Sequence, residues 1–315
     1  DLSKQFATQP RALMMTAGAL AIMALVPGFP TIQILLIAIG LGSLGYVMIR
    51  NQKDQEVKEK AQSEQKVSKE KKPESVMPFV SVDPLEVEIG YSLIPLVDPE
   101  QGGMLLDRIT NIRRISAISM GLIVPPIRIR DNMELESDRY SILIKGVEVG
   151  SGQLQIGKLM AMDAGDVIDK IEGTEFTEPA FGLKAIWIDA AKRDAAERQG
   201  YTVVDCQTII ATHLTEIIKA HAAEILGRQE VQDLIDSIKK DHPAVVDDLL
   251  GSKRLSLGGI QKVLQNLLRE HVSIRNMVSI METLANYSEH TNDPNILTEY
   301  VRAALARQIC REYSG

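Results

Sequence analysis

The alternation of apolar and polar residues divides the chain into three stretches of different character. From Ala12 to Ile49 there is no charged residue, and two apolar runs, Ala12 to Val26 and Ile32 to Ile49, flank Pro27-Gly28-Phe29-Pro30-Thr31. Two prolines and a glycine end one helix and turn the chain before the next. At 1.5 Å per residue the second run spans about 27 Å as a helix, near the thickness of a bilayer core, and the first borrows its flanks to do the same. Lys4 and Arg11 precede the first run, while Arg50 and Lys53 follow the second. The basic residues thus gather at one end of the hairpin, which places both ends in the cytoplasm. The pattern predicts a transmembrane helical hairpin over 1–50. A cleaved signal peptide fits less well, because no small-residue cleavage site follows the first run. Ala17 with Ala21 and Ala38 with Gly42 recur at four-residue spacing, which permits close packing against neighbours in lipid.

Beyond the hairpin, Arg50 to Val76 carries eight basic and six acidic residues with no aromatic and no apolar period. It reads as a charged linker, 51–77, that is either a solvated helix or a mobile tether spanning roughly 29 Å as a coil. Periodicity then returns. Leu85 to Tyr91 alternates as a half-buried strand, and a helix is expected from Met104 to about Ala117. Ile127–Arg130 and Tyr140–Val149 read as two further strands forming an antiparallel pair across the Asp131-Asn132 turn. Ala185–Ile188, the Ala-rich stretch Asp189–Gln199 and Tyr201–Val204 read as strand, helix, strand. From Gln207 the pattern is helical: Gln207–Leu226, Gln229–Lys240, Leu257–His271, Ser273–Asn286 and Asn295–Tyr313, with Ser273 and Asp293-Pro294 as helix starts. The expected fold class is α+β, a multi-subdomain cytoplasmic region of mixed α/β lobes followed by an all-α lobe, attached to the hairpin.

Charge narrows the partners. The chain has 35 basic and 42 acidic residues, net -7. Residues 1–49 contribute +1 and the linker +2, so the remainder carries -10. A net-negative region repels phosphate backbones, which argues against nucleic acid as a partner. The two cysteines, Cys206 and Cys310, have no metal or framework spacing and read as reduced thiols. The chain begins with Asp1 and is expected to start inside a longer protein.

Motifs that resemble catalytic signatures lack their context. Gly40-Leu-Gly-Ser-Leu-Gly45 matches G-x-G-x-x-G but lies in a membrane run, without the strand and acidic partner a dinucleotide site needs. Gly152-Gln-Leu-Gln-Ile-Gly157-Lys158 fits seven positions of a phosphate loop, but Leu159 stands where a hydroxyl must hold magnesium. His213 and His221 lie eight residues apart, too far for an i, i+4 metal pair. No nucleophile elbow or reactive-cysteine signature occurs. An enzyme is not expected, and no catalytic residue, cofactor or metal is assigned.

Particular runs carry a resemblance. Asp83-Pro-Leu-Glu-Val-Glu-Ile-Gly-Tyr91, Ile94-Pro-Leu-Val-Asp98, Leu105-Leu-Asp-Arg-Ile109, Val124-Pro-Pro-Ile-Arg-Ile-Arg-Asp131, Pro179-Ala-Phe-Gly182, Ala211-Thr-His-Leu214, Leu226-Gly-Arg-Gln-Glu230 and Val263-Leu-Gln-Asn-Leu-Leu268 together resemble the FlhA family, the large membrane component of the bacterial flagellar export gate. The Pro-Gly-Phe-Pro hairpin resembles the last two of that family's eight spans.

The resemblance implies an inner-membrane protein whose cytoplasmic regions form a nonameric ring. That ring docks flagellar export chaperones with their substrates for export driven by the proton motive force, alongside other export-gate membrane proteins and components of the export ATPase complex. It further implies a first cytoplasmic subdomain at 78–156 with 206–225, a second inserted at 157–205, a helical third at 226–305, and the start of a truncated fourth at 306–315. The family's chaperone-binding dimple falls on Glu178, Phe181 and Thr212, with Asp in many relatives where Glu178 stands here. Read from the residues alone, Phe181 in a loop is either a docking anchor or ordinary core packing. Two alternatives stand beside the flagellar reading: a homologous injectisome gate, and a membrane-tethered enzyme.

Overall fold

The computed structural model describes residues 15, 18, 39, 40, 43, 82–163, 165, 167, 169–251 and 255–313. The expected hairpin over 1–50 and the linker over 51–77 lie outside the described residues, save Met15, Gly18, Ile39, Gly40 and Ser43, which are helical. Among the described residues no helix is long and apolar enough to cross a membrane. The chain divides into two compact units, Asp1–Val80 and Ser81–Gly315.

The second unit begins with a four-stranded sheet. Strand β1 (Leu85–Ile89) buries Leu85, Val87 and Ile89, and the chain leaves it through helix α1 (Leu105–Met120). It returns as β2 (Arg128–Asp131), parallel to β1. The antiparallel pair expected across Asp131-Asn132 does not form. Arg128 and Arg130 on β2 instead meet acids at and before β1: Arg130 lies 2.7 Å from Asp83 and 2.6 Å from Glu86, and Arg128 lies 3.1 Å from Asp83. Asn132 adds a 2.8 Å bond to Glu88. Opposite charges facing across the strands select this pairing, and helix α1 supplies the crossover that parallel strands require.

The single strand expected over Tyr140–Val149 is two, β3 (Arg139–Ile144) and β4 (Val147–Gln153). Lys145 and Gly146 have φ of 50° and 78°, the paired positive values of a two-residue type I′ hairpin turn, and Ile144 pairs with Val147 across it. The first sheet runs β2-β1-β3-β4.

A second sheet, ordered β6-β7-β5-β8, is built from β5 (Lys158–Asp163), β6 (Thr174–Thr177), β7 (Lys184–Asp189) and β8 (Tyr201–Val204), with helix α2 (Arg193–Arg198) between the last two. Strands β7 and β8 run parallel to each other but are separated by β5, antiparallel to both, so the strand, helix, strand run is a split unit whose two strands do not pair. The sequence pattern did not mark β5 and β6: β5 alternates too weakly, and β6 is four residues of a polar edge. Entry to and exit from this sheet meet at Cys206, whose thiol donates to the carbonyls of Gln155 (3.4 Å) and Lys158 (3.8 Å).

Helix α3 (Cys206–Ala220) returns to the first sheet, capped by Asp205, which accepts from the Thr208 amide at 2.6 Å. Asp205 also pairs with Arg108 of α1 at 3.2 Å. The long helix expected to Leu226 stops at Ala220, and a short α4 (Ala222–Ile225) follows His221.

The helical half contains α5 (Arg228–Asp241), α6 (Pro243–Gly251), α7 (Leu257–Arg269), α8 (Met277–Tyr287), α9 (Pro294–Ala304) and α10 (Ala306–Tyr313). Its centre is α7, whose Ile260, Val263, Leu264, Leu267 and Leu268 are buried at the spacing of one helix face. Three boundaries differ from expectation. Helix α6 was not foreseen. Helix α8 starts at Met277 under an Asn276 cap rather than at Ser273, because the 273–276 segment instead ties down α1: the Ile274 amide donates to the Met120 carbonyl at 2.8 Å. The helix expected over Asn295–Tyr313 breaks at Leu305, though its start is as read, with Pro294 at the first turn and Asp293 accepting from the Asn295 amide.

Candidate functional site

The peptide joining β6 to β7 is Glu178-Pro-Ala-Phe-Gly-Leu183, and its shape follows from its residues. Both carboxylate oxygens of Glu178 accept from amides of the same loop, Ala180 at 2.7 Å and Phe181 at 2.8 Å. Pro179 presets its backbone angle and has no amide hydrogen to satisfy, while Gly182, at φ 69°, supplies a left-handed exit. The arrangement is the beginning of a helix cut off after one turn. Two backbone bonds close it, Glu178 amide to Leu183 carbonyl at 2.8 Å and Gly182 amide to Glu178 carbonyl at 3.0 Å.

The closed loop inverts the usual order of burial. Glu178, an acid, is 1% exposed, while Phe181 is 55% and Leu183 49% exposed. An acid is rarely buried unless paired, and here the loop's own amides satisfy it. Phe181 is therefore not core packing. Beside the loop a cleft of about 490 Å³ runs between the two sheets, with Ser151 and Gln153 of β4 on one side and Thr174 and Phe176 of β6 on the other. Phe176 stacks on Trp187 with ring centroids 4.4 Å apart.

Beneath the loop lies a buried polar pair that joins the first sheet to α3. The Tyr140 hydroxyl and the His213 Nδ1 are 2.8 Å apart, and both residues are buried. Burial pushes the Tyr140 phenol far above its usual range, and the Glu178 charge adds to this. Burial also lowers the pKa of His213, against an opposing pull from Glu178. Two glycines of β4 make room for the pair: a Cβ at Gly152 would sit 2.8 Å from the Tyr140 hydroxyl, and one at Gly150 would sit 2.9 Å from His213 Nε2.

Of the three residues implied by the resemblance, the structure joins Glu178 and Phe181 directly by a hydrogen bond. Thr212 is half-buried on α3, next to the histidine that feels the Glu178 charge, and among the described residues no hydrogen bond links it to the loop. Sequence reasoning missed Leu183, Tyr140 and His213. Tyr140 and His213 are 73 positions apart, so no local pattern could pair them. Their one trace in the sequence is the spacing of Gly150 and Gly152, and Gly152 also opens the phosphate-loop match. Gly152 lies in β4 and Lys158 opens β5, so that stretch links two strands and has no helix amides to cradle a phosphate.

Among the described residues no group of three or more His, Cys, Asp or Glu is placed to hold a metal. Both cysteines are free, and burial, followed by the Asp205 charge, pushes the Cys206 thiol up to about 11, away from nucleophilic reactivity.

This chain is 45% identical to the flagellar biosynthesis protein FlhA of Bacillus subtilis over 318 residues, covering all of this chain and 46% of that protein. It therefore spans less than half the length of the curated relative. The Chlamydia pneumoniae CdsV and CdsO protein complex contains a chain of similar fold, with a TM-score of 0.65 at 23% identity over 74% of this chain and 73% of that one. Nonameric EPEC SctV-C gives a TM-score of 0.57 at 23% identity, covering 74% of this chain and 68% of that one. The multi-lobed α/β architecture is thus one these proteins share. The family model matches residues 1–315, from end to end, and the chain belongs to the FHIPEP family.

Proposed function

We propose that this chain is part of an integral membrane component of the flagellar type III protein export gate, and that its cytoplasmic region docks export chaperones carrying their substrates. The observation that carries the docking reading is Phe181, an aromatic 55% exposed on a loop closed by its own hydrogen bonds. A large apolar side chain held rigidly in solvent binds with little loss of conformational freedom, which is the usual make-up of an interface anchor. Thr212 is assigned to the same contact by the family resemblance, and the cleft between the sheets opens beside the loop. The hairpin pattern at 1–50 supports a membrane location with the region after the linker in the cytoplasm; the bacterial inner membrane and export on the proton motive force are inferred from family membership. The subdomains are 78–156 with 206–225, then 157–205, 226–305 and 306–315.

Assembly into a nonameric ring is supported by the fold shared with nonameric SctV-C. Contact with export ATPase complex components is inferred from family membership alone, as is contact with the other gate membrane proteins. Flagellar rather than injectisome service is favoured by the 45% identity to a flagellar relative against 23% to CdsV and SctV-C. A membrane-tethered enzyme is the weaker reading, for the similar curated proteins are flagellar biosynthesis proteins.

The test is Phe181→Ala in the full chain, titrated calorimetrically with a purified flagellar chaperone–substrate complex. Loss of about 2 kcal/mol or more of binding free energy is expected, with the melting temperature unchanged because the ring is not part of the core. Unaltered affinity would remove the docking assignment.

A further inference from the structure

We propose that Glu178 is a positioning residue that stays out of the docking contact, holding the 178–183 loop in its presenting shape while Phe181 and Leu183 together make the contact. The proposal rests on the docking reading above. A carboxylate that is 1% exposed has no surface to offer a partner, and each of its oxygens is already engaged by an amide of its own loop, at 2.7 and 2.8 Å. What those bonds fix is the direction of the backbone at Ala180 and Phe181, and thus where the Phe181 ring points. Leu183 closes the same loop through its carbonyl, 2.8 Å from the Glu178 amide, and its side chain is 49% exposed. Two apolar side chains two residues apart, both in solvent, form one hydrophobic contact that fits an apolar face on the chaperone.

The chemistry of the cap makes this separable from a direct charge contact. The amides served are those two and three residues beyond Glu178, the pattern that a capping Asp satisfies with its shorter side chain. Glutamine keeps the length of Glu178 but replaces one acceptor oxygen with an NH2 donor, which then faces an amide donor. Aspartate should therefore preserve the loop and glutamine should not.

The experiment uses the full chain in detergent and four variants, Glu178→Asp, Glu178→Gln, Phe181→Ala and Leu183→Ala. Each is measured twice: for affinity to a purified flagellar chaperone–substrate complex, and for amide hydrogen exchange of 178–183 with no chaperone present. Glu178→Gln should weaken binding by about tenfold or more and speed exchange in the loop, with β1 and β3 protected as before. Glu178→Asp should restore both. Leu183→Ala should weaken binding by about tenfold while leaving loop exchange unchanged. The proposal is overturned if Glu178→Gln loses affinity with loop exchange unaltered, since Glu178 would then be touching the partner, or if Leu183→Ala binds normally. Those failures leave the docking reading standing when Phe181→Ala still weakens binding; a Phe181→Ala variant that binds normally ends both.

Discussion

The two sheets are of equal strand number but unequal support. The first shares a continuous core with α1, α3 and the helical half, from Leu85 through Ile210 and Leu264 to Leu305. The second gives only one face to that core, through Met160, Ala185 and Trp187. Its other face closes on a core of four buried residues, Ala161, Ile188, Ala196 and Tyr201. Yet the lightly supported sheet carries the candidate docking loop. Segments that must engage partners are drawn from the less stable end of a protein, and here the loop compensates locally, through hydrogen bonds within its own six residues, for what the sheet lacks in burial.

Core truncation is the strongest challenge to that contrast. Leu264→Ala, at the centre of α7, should cost about 3–5 kcal/mol and lower the unfolding midpoint of the whole unit. Ile188→Ala, in the small core, should cost about 2–4 kcal/mol but act locally. The chain's single tryptophan, Trp187, sits in the second sheet, so urea unfolding followed by its fluorescence should precede unfolding followed by far-UV circular dichroism in Ile188→Ala. Coincident transitions in that variant would mean that the two sheets unfold as one and that the contrast has no energetic content.

A smaller effect is expected at the seam. Tyr140→Phe removes the hydrogen-bond partner of the buried His213 Nδ1 and should cost about 1–2 kcal/mol. Because Tyr140 belongs to the first sheet, both probes should shift together in urea, while amide exchange of 178–183 stays as it was.

The smallest effect is a pH dependence. Burial lowers the pKa of His213 in the folded chain below the ordinary histidine range, so as pH falls through about 6.5 the unfolded chain takes up a proton that the folded chain refuses. Stability therefore declines from that point until the depressed native value is passed, and rises again on return to neutral pH. Urea midpoints at pH 7.5 and 5.5 should show this slope, and His213→Gln should flatten it. An identical slope in the variant would assign the pH response to other groups.

The difference between the sheets also explains what could be read from the chain alone. Where burial dictates residue type, as in Leu85–Ile89 and the α7 stripe, the elements were legible, and the mixed-then-helical order with them. Where charge or turn geometry decides, periodicity says less: β2 pairs with β1 because its arginines meet acids 44 to 47 positions earlier, and the 140–149 run folds back at Lys145-Gly146, where the apolar positions step from even to odd, a shift that a single-strand reading passes over. At the site, Phe181 and Glu178 came from resemblance to a family. The roles of Leu183, Tyr140 and His213 depend on exposure and on contacts between distant segments, which no local window contains.

The thiol of Cys206 touches the carbonyls of both Gln155 and Lys158, so the path into the second sheet and the path out of it pass through one point. In evolutionary terms this makes the segment a detachable module. A segment that departs and returns at a single place can be lengthened, trimmed or exchanged without changing the register of the first sheet. Residues 158–204 can therefore be rewritten while the rest of the scaffold is inherited intact.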